Sequence, residues 1–247
     1  MPQGTIMPSD IIRKQLMAMY HALFSTYGPQ RWWPGESPFE MMVGAVLTQN
    51  TAWGNVEKAI ANLKREGPLT VARLRRLAPR KLASLIRPSG YYNVKAKRLV
   101  HLTDFLAARY GGSPARMLHE HPAKLRKGLL SVNGIGPETA DAIMLYAAGH
   151  PVFVVDAYTS RIFRRHGLLT GEEGYHDIQR MFLENLPGDS RLFNEYHALI
   201  VRLAKEQCRK SLPRCSGCPL EPFPHDAREK TPAKIKILKR PTGSHKG

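Results

Sequence analysis

One acid stands out for its setting. Asp156 closes the apolar run Val152-Phe153-Val154-Val155 and opens a helical pattern at Ala157. A carboxylate there could simply cap the helix. It could equally be a desolvated anion that stabilises positive charge and orients or deprotonates a water. Twenty residues earlier stands Asn133-Gly134-Ile135-Gly136, a corner between two helical patterns. Glycine lacks a Cβ and tolerates positive φ, so the backbone here can approach a ligand closely. Its N–H groups and those of the following helix start can face an anion such as a phosphate. A Gly-x-Gly alone reads as a turn, and Asp156 alone as a cap; their joint spacing points to chemistry.

Other residues invite a nucleic-acid reading. Trp32 and Trp33 are adjacent and cannot share one helical face, so they are either plugs under a loop or partly a working surface. Gln49 and Asn50 end a buried segment, where an amide either caps the backbone or is exposed for use. Lys95, Lys97 and Arg98 open a long helix beside Gly90-Tyr91-Tyr92; they could contact phosphates or form a solvated basic face. The whole chain carries 37 Lys and Arg against 20 Asp and Glu, a net charge of +17. That favours a polyanion: nucleic acid first, an anionic membrane surface second.

Taken together, Leu129-x-x-Val132-Asn133-Gly134-Ile135-Gly136-x-x-Thr139-Ala140-Asp141, Val154-Val155-Asp156-Ala157-Tyr158 and Arg161 resemble the helix-hairpin-helix, Gly/Pro-rich loop and aspartate signature of the endonuclease III superfamily of DNA glycosylases. The resemblance implies that Asn133, Gly134, Ile135 and Gly136 hold a DNA phosphate, with a monovalent cation, and that Asp156 is catalytic. It also implies that Gln49, in Leu47-x-Gln49-Asn50-Thr51, wedges into the base stack. Members that also cleave the strand carry a lysine two residues after the second glycine. Glu138 stands there, and an acid cannot form a Schiff base.

A finer similarity, over roughly residues 30 to 165, is to 3-methyladenine DNA glycosylase III. It rests on Trp32-Trp33-Pro34, the run Gly44 to Thr51, Arg87 to Asn93 with Lys95 to Leu99, and Val154-Val155-Asp156-x-Tyr158. It implies a base pocket of Trp32, Trp33, Trp53 and Tyr158 for a cationic methylated purine, which electron-rich rings attract. The expectation is a monofunctional glycosylase for alkylated purines. The alternatives are an endonuclease III-like enzyme for oxidised pyrimidines or mismatches, and a non-catalytic hairpin module that binds DNA.

Cys208, Cys215 and Cys218 reproduce the first three positions of the superfamily's iron-sulfur loop, but Pro224 occupies the fourth. Four thiolates are the usual complement of such a cluster. A [4Fe-4S] cluster, a three-cysteine zinc or labile site, and a loop without metal all stay open, with His225, one residue displaced, as a substitute ligand or a plain surface residue.

The elements that must position these groups are helices. Apolar residues recur at helical spacing through most of the chain, and strand alternation is nearly absent. SPFEMMVGAVLTQ is apolar nearly all round and predicts a buried central helix. Helices are expected at 10–27, in two stretches within 37–63, in three within 70–111, and at 120–131, 137–149, 156–166, 174–186 and 189–208. The fold class is all-α, with two helical lobes and an active-site cleft between them. One lobe takes 1–29 and 140–226 and includes the cysteine loop; the other takes 30–139 and most of the hairpin. The tail, 227–247, is basic and predicts a flexible electrostatic anchor.

No apolar run is long enough to span a bilayer. The N-terminus lacks a signal-peptide pattern, and three clustered cysteines are not a secreted disulfide framework. The expectation is a cytoplasmic, nucleoid-associated monomer acting on damaged double-stranded DNA.

Overall fold

The computed structural model describes residues 9–33 and 35–226; residues 1–8, Pro34 and the basic tail, 227–247, lie outside the described residues. Among the described residues all regular structure is helical. In chain order the helices are α1 (Ser9–Tyr27), α2 (Pro38–Leu47), α3 (Trp53–Arg65), α4 (Val71–Arg76), α5 (Pro79–Leu85), α6 (Tyr92–Tyr110), α7 (Pro114–Leu118), α8 (Pro122–Leu130), α9 (Pro137–Ala142), α10 (Ala157–Arg165), α11 (Tyr175–Asn185) and α12 (Ser190–Glu206). Short α7 was not expected; Ser113 caps it, its hydroxyl accepting from Arg116 N–H, and Pro114 stands in its first turn.

The chain divides into two compact units. Among the described residues the first comprises 9–30, Val155–Pro187 and 196–226, so its helices are α1, α10, α11 and most of α12. Phe163, Phe182 and Tyr196 are fully buried in it. Their rings meet edge to face, Phe163 and Phe182 with centroids 4.9 Å apart. The Tyr196 hydroxyl donates to Leu16 O of α1 at 2.8 Å, so the aromatic core also fixes the N-terminal helix against α12.

The second unit comprises Arg31–Val154 and Gly188–Glu195. Helix α2 runs through its centre, with Phe39, Met42, Val43, Val46 and Leu47 buried, as an all-round apolar helix should. Ser37 caps it, the hydroxyl accepting from Glu40 N–H at 3.2 Å, and Pro38 occupies the first turn. Helices α3, α6 and α9 pack around it.

The hairpin is the joint between α8 and α9. Arg126 of α8 grips Asp141 of α9 with two parallel bonds, 2.7 and 3.0 Å, and Asp141 is wholly buried. A fork-to-carboxylate pair of this kind fixes both distance and orientation. Helix α9 does not run on regularly to 149: Ile143–Ala147 forms a π-helical turn, with Ala148 N–H reaching back to Ile143 O. The wider turn carries Tyr146, whose ring lies 4.9 Å from that of Trp33.

Candidate active site

Asp156 is the N-cap of α10. Its Oδ1 accepts from Thr159 N–H at 2.7 Å and from the Thr159 hydroxyl at 2.9 Å. The capping reading is therefore met in full, yet it engages only one carboxylate oxygen. Oδ2 lies 3.6 Å from Nε2 of His197 on α12, and the two side chains are 14% and 8% exposed. Burial pushes the Asp156 pKa up, but His197 and the Thr159 donors more than offset that and hold it below the ordinary carboxylate value. The result is a largely desolvated anion with a fixed orientation. His197 was not anticipated: it lies forty-one residues from Asp156 in the chain, among the buried residues Tyr196, Ala198, Leu199 and Ile200, where it reads as core.

The hairpin glycines differ. Gly134 has φ +89°, and a Cβ there would lie 2.4 Å from Arg98 Cγ, so conformation and space both require glycine. Gly136 is extended, φ −94° and ψ −178°, and needs no left-handed backbone; a Cβ there would meet nothing within 4 Å. Space for a ligand, not φ, is what glycine provides at 136. Ile135 is buried and its N–H closes on Val132 O at 3.1 Å, so the expected phosphate contact does not fit its own donor. Asn133 is exposed, with its carbonyl 3.2 Å from Nδ1 of His101.

Gln49 reaches the hairpin. Its amide donates to Gly134 O at 3.1 Å and to the Thr139 hydroxyl at 2.8 Å, and its carbonyl accepts from Arg98. As it stands, the side chain is tied into the hairpin rather than extended as a wedge. Asn50 beside it is exposed with φ +54°.

The three expected basic contacts separate. Lys97 is exposed and Arg98 half-buried, but Lys95 is 1% exposed. Its ammonium donates to Leu47 O, the Thr51 hydroxyl and Ser89 O at 2.8, 2.8 and 2.6 Å. Burial, with Arg98 adding, pulls its pKa down to about 8. A phosphate contact does not suit such a group; Lys95 instead ties the Gln49-Asn50 loop to the Ser89 turn. The basic helix start is therefore not one exposed face: Lys97 points outward while Lys95, two residues earlier, is drawn inside.

Trp32, Trp33 and Trp53 come together although Trp53 is twenty residues away in sequence. Ring centroids are 5.7 Å apart for Trp32–Trp33, 5.4 Å for Trp32–Trp53 and 4.6 Å for Trp33–Trp53, with Tyr146 joining from the π-turn. All three indoles are half-buried. Trp53 Nε1 donates to Glu57 at 2.9 Å. Trp33 lies so close over α2 that a Cβ on Gly44 would stand 2.9 Å from its ring. Tyr158 is in the other unit, with the Arg161 guanidinium 5.1 Å from its ring. Glu138 is exposed in the first turn of α9, where its charge suits the helix dipole.

Cys208, Cys215 and Cys218 line one pocket, together with Arg165, His166, Leu203, Leu220, Glu221 and His225. Burial pushes the Cys218 thiol up, and the negative fields of Cys208, Cys215 and Glu221 add to this, against a backbone bond at Leu220. Among the described residues no three such donors converge closely enough for a single metal ion.

A family of base excision repair proteins combines this all-helical fold with a hairpin of this form and an acid following it. Residues 43–188 match the model of the HhH-GPD superfamily of base excision DNA repair proteins, and the chain belongs to that family. It is a DNA repair glycosylase. A DNA repair glycosylase of Methanocaldococcus jannaschii is 46% identical over 211 residues, which cover 85% of this chain and 96% of the relative. Endonuclease III of Thermotoga maritima is 30% identical over 184 residues, 73% of this chain and 79% of that protein. Among solved structures, the H. pylori 3-methyladenine DNA glycosylase bound to 1,N6-ethenoadenine superposes with a TM-score of 0.67 at 31% identity, covering 81% of this chain and 98% of that one. A non-covalent endonuclease III–DNA complex shares the fold, with a TM-score of 0.75 at 22% identity over 90% of this chain and 97% of that one.

Proposed function

We propose that the protein excises alkylated purines, 3-methyladenine above all, by hydrolysing the N-glycosidic bond without cleaving the strand. The observation that carries this reading is the Asp156 carboxylate, desolvated, anionic and oriented by two Thr159 donors on Oδ1, with His197 facing Oδ2. A base within a duplex must be turned out of the stack before its glycosidic bond can be reached. As that bond breaks, positive charge grows on the deoxyribose. A preorganised carboxylate beside it stabilises the charge and orients the attacking water, a contribution of about 3–4 kcal/mol.

The substrate class is supported by the half-buried tryptophans. Methylation at a purine ring nitrogen leaves the base cationic, and indole faces attract cations more strongly than neutral bases. The same positive charge weakens the glycosidic bond, so the leaving base needs no general acid. The solved 3-methyladenine glycosylase, 31% identical, supports the same choice. Glu138 supports hydrolysis without a covalent lysine intermediate. Gly134, Gly136 and Asn133 form the phosphate-contacting corner, whose backbone would hold a monovalent cation that offsets phosphate charge, and Lys97, Arg98 and Asn50 extend the contact; Gln49 enters the stack by exchanging its bonds to Gly134 and Thr139.

The cysteine loop would hold an iron-sulfur cluster through Cys208, Cys215 and Cys218, which share one pocket. Such a group crosslinks the loop and can exchange electrons when bound. No step of glycosidic hydrolysis needs it.

A pyrimidine substrate is the second reading, favoured by relatives such as the thymine-DNA glycosylase of Aeropyrum pernix, 27% identical over 217 residues. Duplexes carrying single defined lesions separate the two: the protein is incubated with each, and released bases are identified by mass spectrometry before any alkaline treatment. Release of 3-methyladenine and not of thymine, uracil or oxidised pyrimidines is expected. Release of pyrimidines alone would replace the first reading by the second.

A further inference from the structure

Besides Cys208, Cys215 and Cys218, the pocket of the cysteine loop is lined by His166, Glu221 and His225, side chains of types that can ligate metal. After α12 ends at Glu206, residues 208–226 form an irregular segment whose start and end are both tied to α10. At the start, Arg161 donates to Cys208 O at 3.0 Å, and Arg165 donates to Arg209 O at 2.7 Å and Lys210 O at 3.0 Å. Both arginines are about 5% exposed, so these are buried, charge-assisted bonds. At the end, Nδ1 of His166 lies 3.1 Å from Pro224 O, and Asp226 N–H donates to Arg165 O at 2.7 Å. The return of the chain to the same helix terminus brings His225 to the rim of the pocket that the three cysteines line.

We propose that His225 is the fourth protein ligand of a four-iron cluster held with Cys208, Cys215 and Cys218. The inference rests on the three-cysteine cluster reading above and extends it. Three features of the molecule carry it. First, all four donors line one pocket, while among the described residues no three of them are grouped for a single metal ion. A tetrahedral zinc draws its ligands around one atom, whereas a four-iron cluster takes its protein ligands on separate irons, which suits donors spread around one pocket.

Second, Nδ1 of His225 lies 2.9 Å from Phe223 O. With the proton on Nδ1 donated to that carbonyl, Nε2 keeps its lone pair, the tautomer that metal-bound histidines have when a carbonyl orients them. Third, Pro224 cannot ligate, and its carbonyl is held by His166. His166 is 8% exposed and clamps the loop, whereas His225 is exposed, with its ring 5.5 Å from that of His166. The Arg165 guanidinium, 3.2 Å from Cys208 Sγ, would compensate the negative charge of the thiolates.

The test uses the full chain, purified anaerobically and reconstituted with iron and sulfide, with histidine nitrogen labelled as 15N. Four irons and four sulfides per chain are expected, and the reduced cluster should show a directly bonded nitrogen by pulsed electron paramagnetic resonance. His225→Ala should lose that coupling and fall to three irons while keeping its helical circular dichroism. His225→Cys should keep four irons, lose the coupling and shift the reduction potential to a more negative value, since a neutral imidazole gives way to a thiolate. A four-iron cluster without nitrogen coupling would overturn the assignment of His225 and leave the three-cysteine reading intact. Coupling that survives His225→Ala and vanishes in His166→Asn would move the ligand to His166. A three-iron cluster in the unsubstituted protein, uptake of zinc only, or no metal at all would also refute the proposal, the last two together with the cluster reading itself.

Discussion

His197 Nε2 faces Asp156 Oδ2 at 3.6 Å, while Thr159 takes Oδ1 with two donors. The carboxylate is thus a helix cap on one oxygen and a buried charge on the other. Substitution can separate these parts. Asn is a competent N-cap, so Asp156→Asn should fold normally and bind DNA while the barrier to base release rises by about 3–4 kcal/mol, slowing it several hundredfold. Asp156→Ala should show the same loss and also lower stability by about 1 kcal/mol through the cap. Single-turnover release and denaturant melts read the two effects. An Asn variant with an unchanged rate would remove Asp156 from the chemistry.

The acid side of the stability profile follows from the same site. The folded Asp156 pKa is held below the ordinary value, so its contribution to stability is fully present above the unfolded pKa, about 3.9, and is lost as pH falls through the lower folded pKa. The stability difference between the unsubstituted protein and Asp156→Asn should therefore stay constant from neutral pH to about pH 5 and shrink only below about pH 4. Urea melts across that range measure it. A difference that disappears near pH 6 would show that the pair does not stabilise the anion.

The two hairpin glycines should respond differently to substitution. Gly134→Ala places a Cβ against Arg98 at a backbone φ of +89°, and should cost about 1–3 kcal/mol of stability. Gly136→Asp meets open space, so its stability should be nearly unchanged, but a negative charge where a phosphate sits should weaken binding to any duplex tenfold or more. Thermal melts and fluorescence anisotropy distinguish the two. Unaltered affinity in Gly136→Asp would exclude the corner as a phosphate contact.

Tryptophan substitutions test the substrate. Trp53→Ala should reduce 3-methyladenine release at least tenfold, about 1.4 kcal/mol, since a cation-π contact of this kind is worth up to about 2 kcal/mol when desolvated. Gly44→Val should act in the same direction by displacing Trp33, whose ring lies within 2.9 Å of the added Cβ position. Equal release by Trp53→Ala and the unsubstituted protein would favour a neutral base as substrate.

Strand cleavage is tested by borohydride trapping. Glu138 cannot form a Schiff base, and Lys95, although its pKa is pulled down to about 8, is buried and bonded to three oxygens. No covalent enzyme–DNA adduct is expected during excision. Efficient trapping at neutral pH would show that a lysine of this chain takes the nucleophile's place.

Much of this molecule is local and was legible in its sequence. Helical periodicity, the buried helix of SPFEMMVGAVLTQ and the Gly134-to-Gly136 corner are set by residues a few positions apart, because backbone hydrogen bonding and steric exclusion act over one turn. The acid following the corner and the match to a glycosylase family belong to the same local record. What tertiary structure decided depends on groups that only packing brings together. It set His197 opposite Asp156 and placed Tyr146 against Trp33 through a π-turn. It buried Lys95 inside a lattice of carbonyls, where a run of basic residues had suggested an exposed face. It tied Gln49 to the hairpin, eighty-five residues away in the chain, and closed the cysteine segment back onto α10 so that His225 reaches the thiols' pocket. Burial and long-range hydrogen bonding are properties of the assembled core, and residue type alone does not encode which polar groups will be drawn inside it.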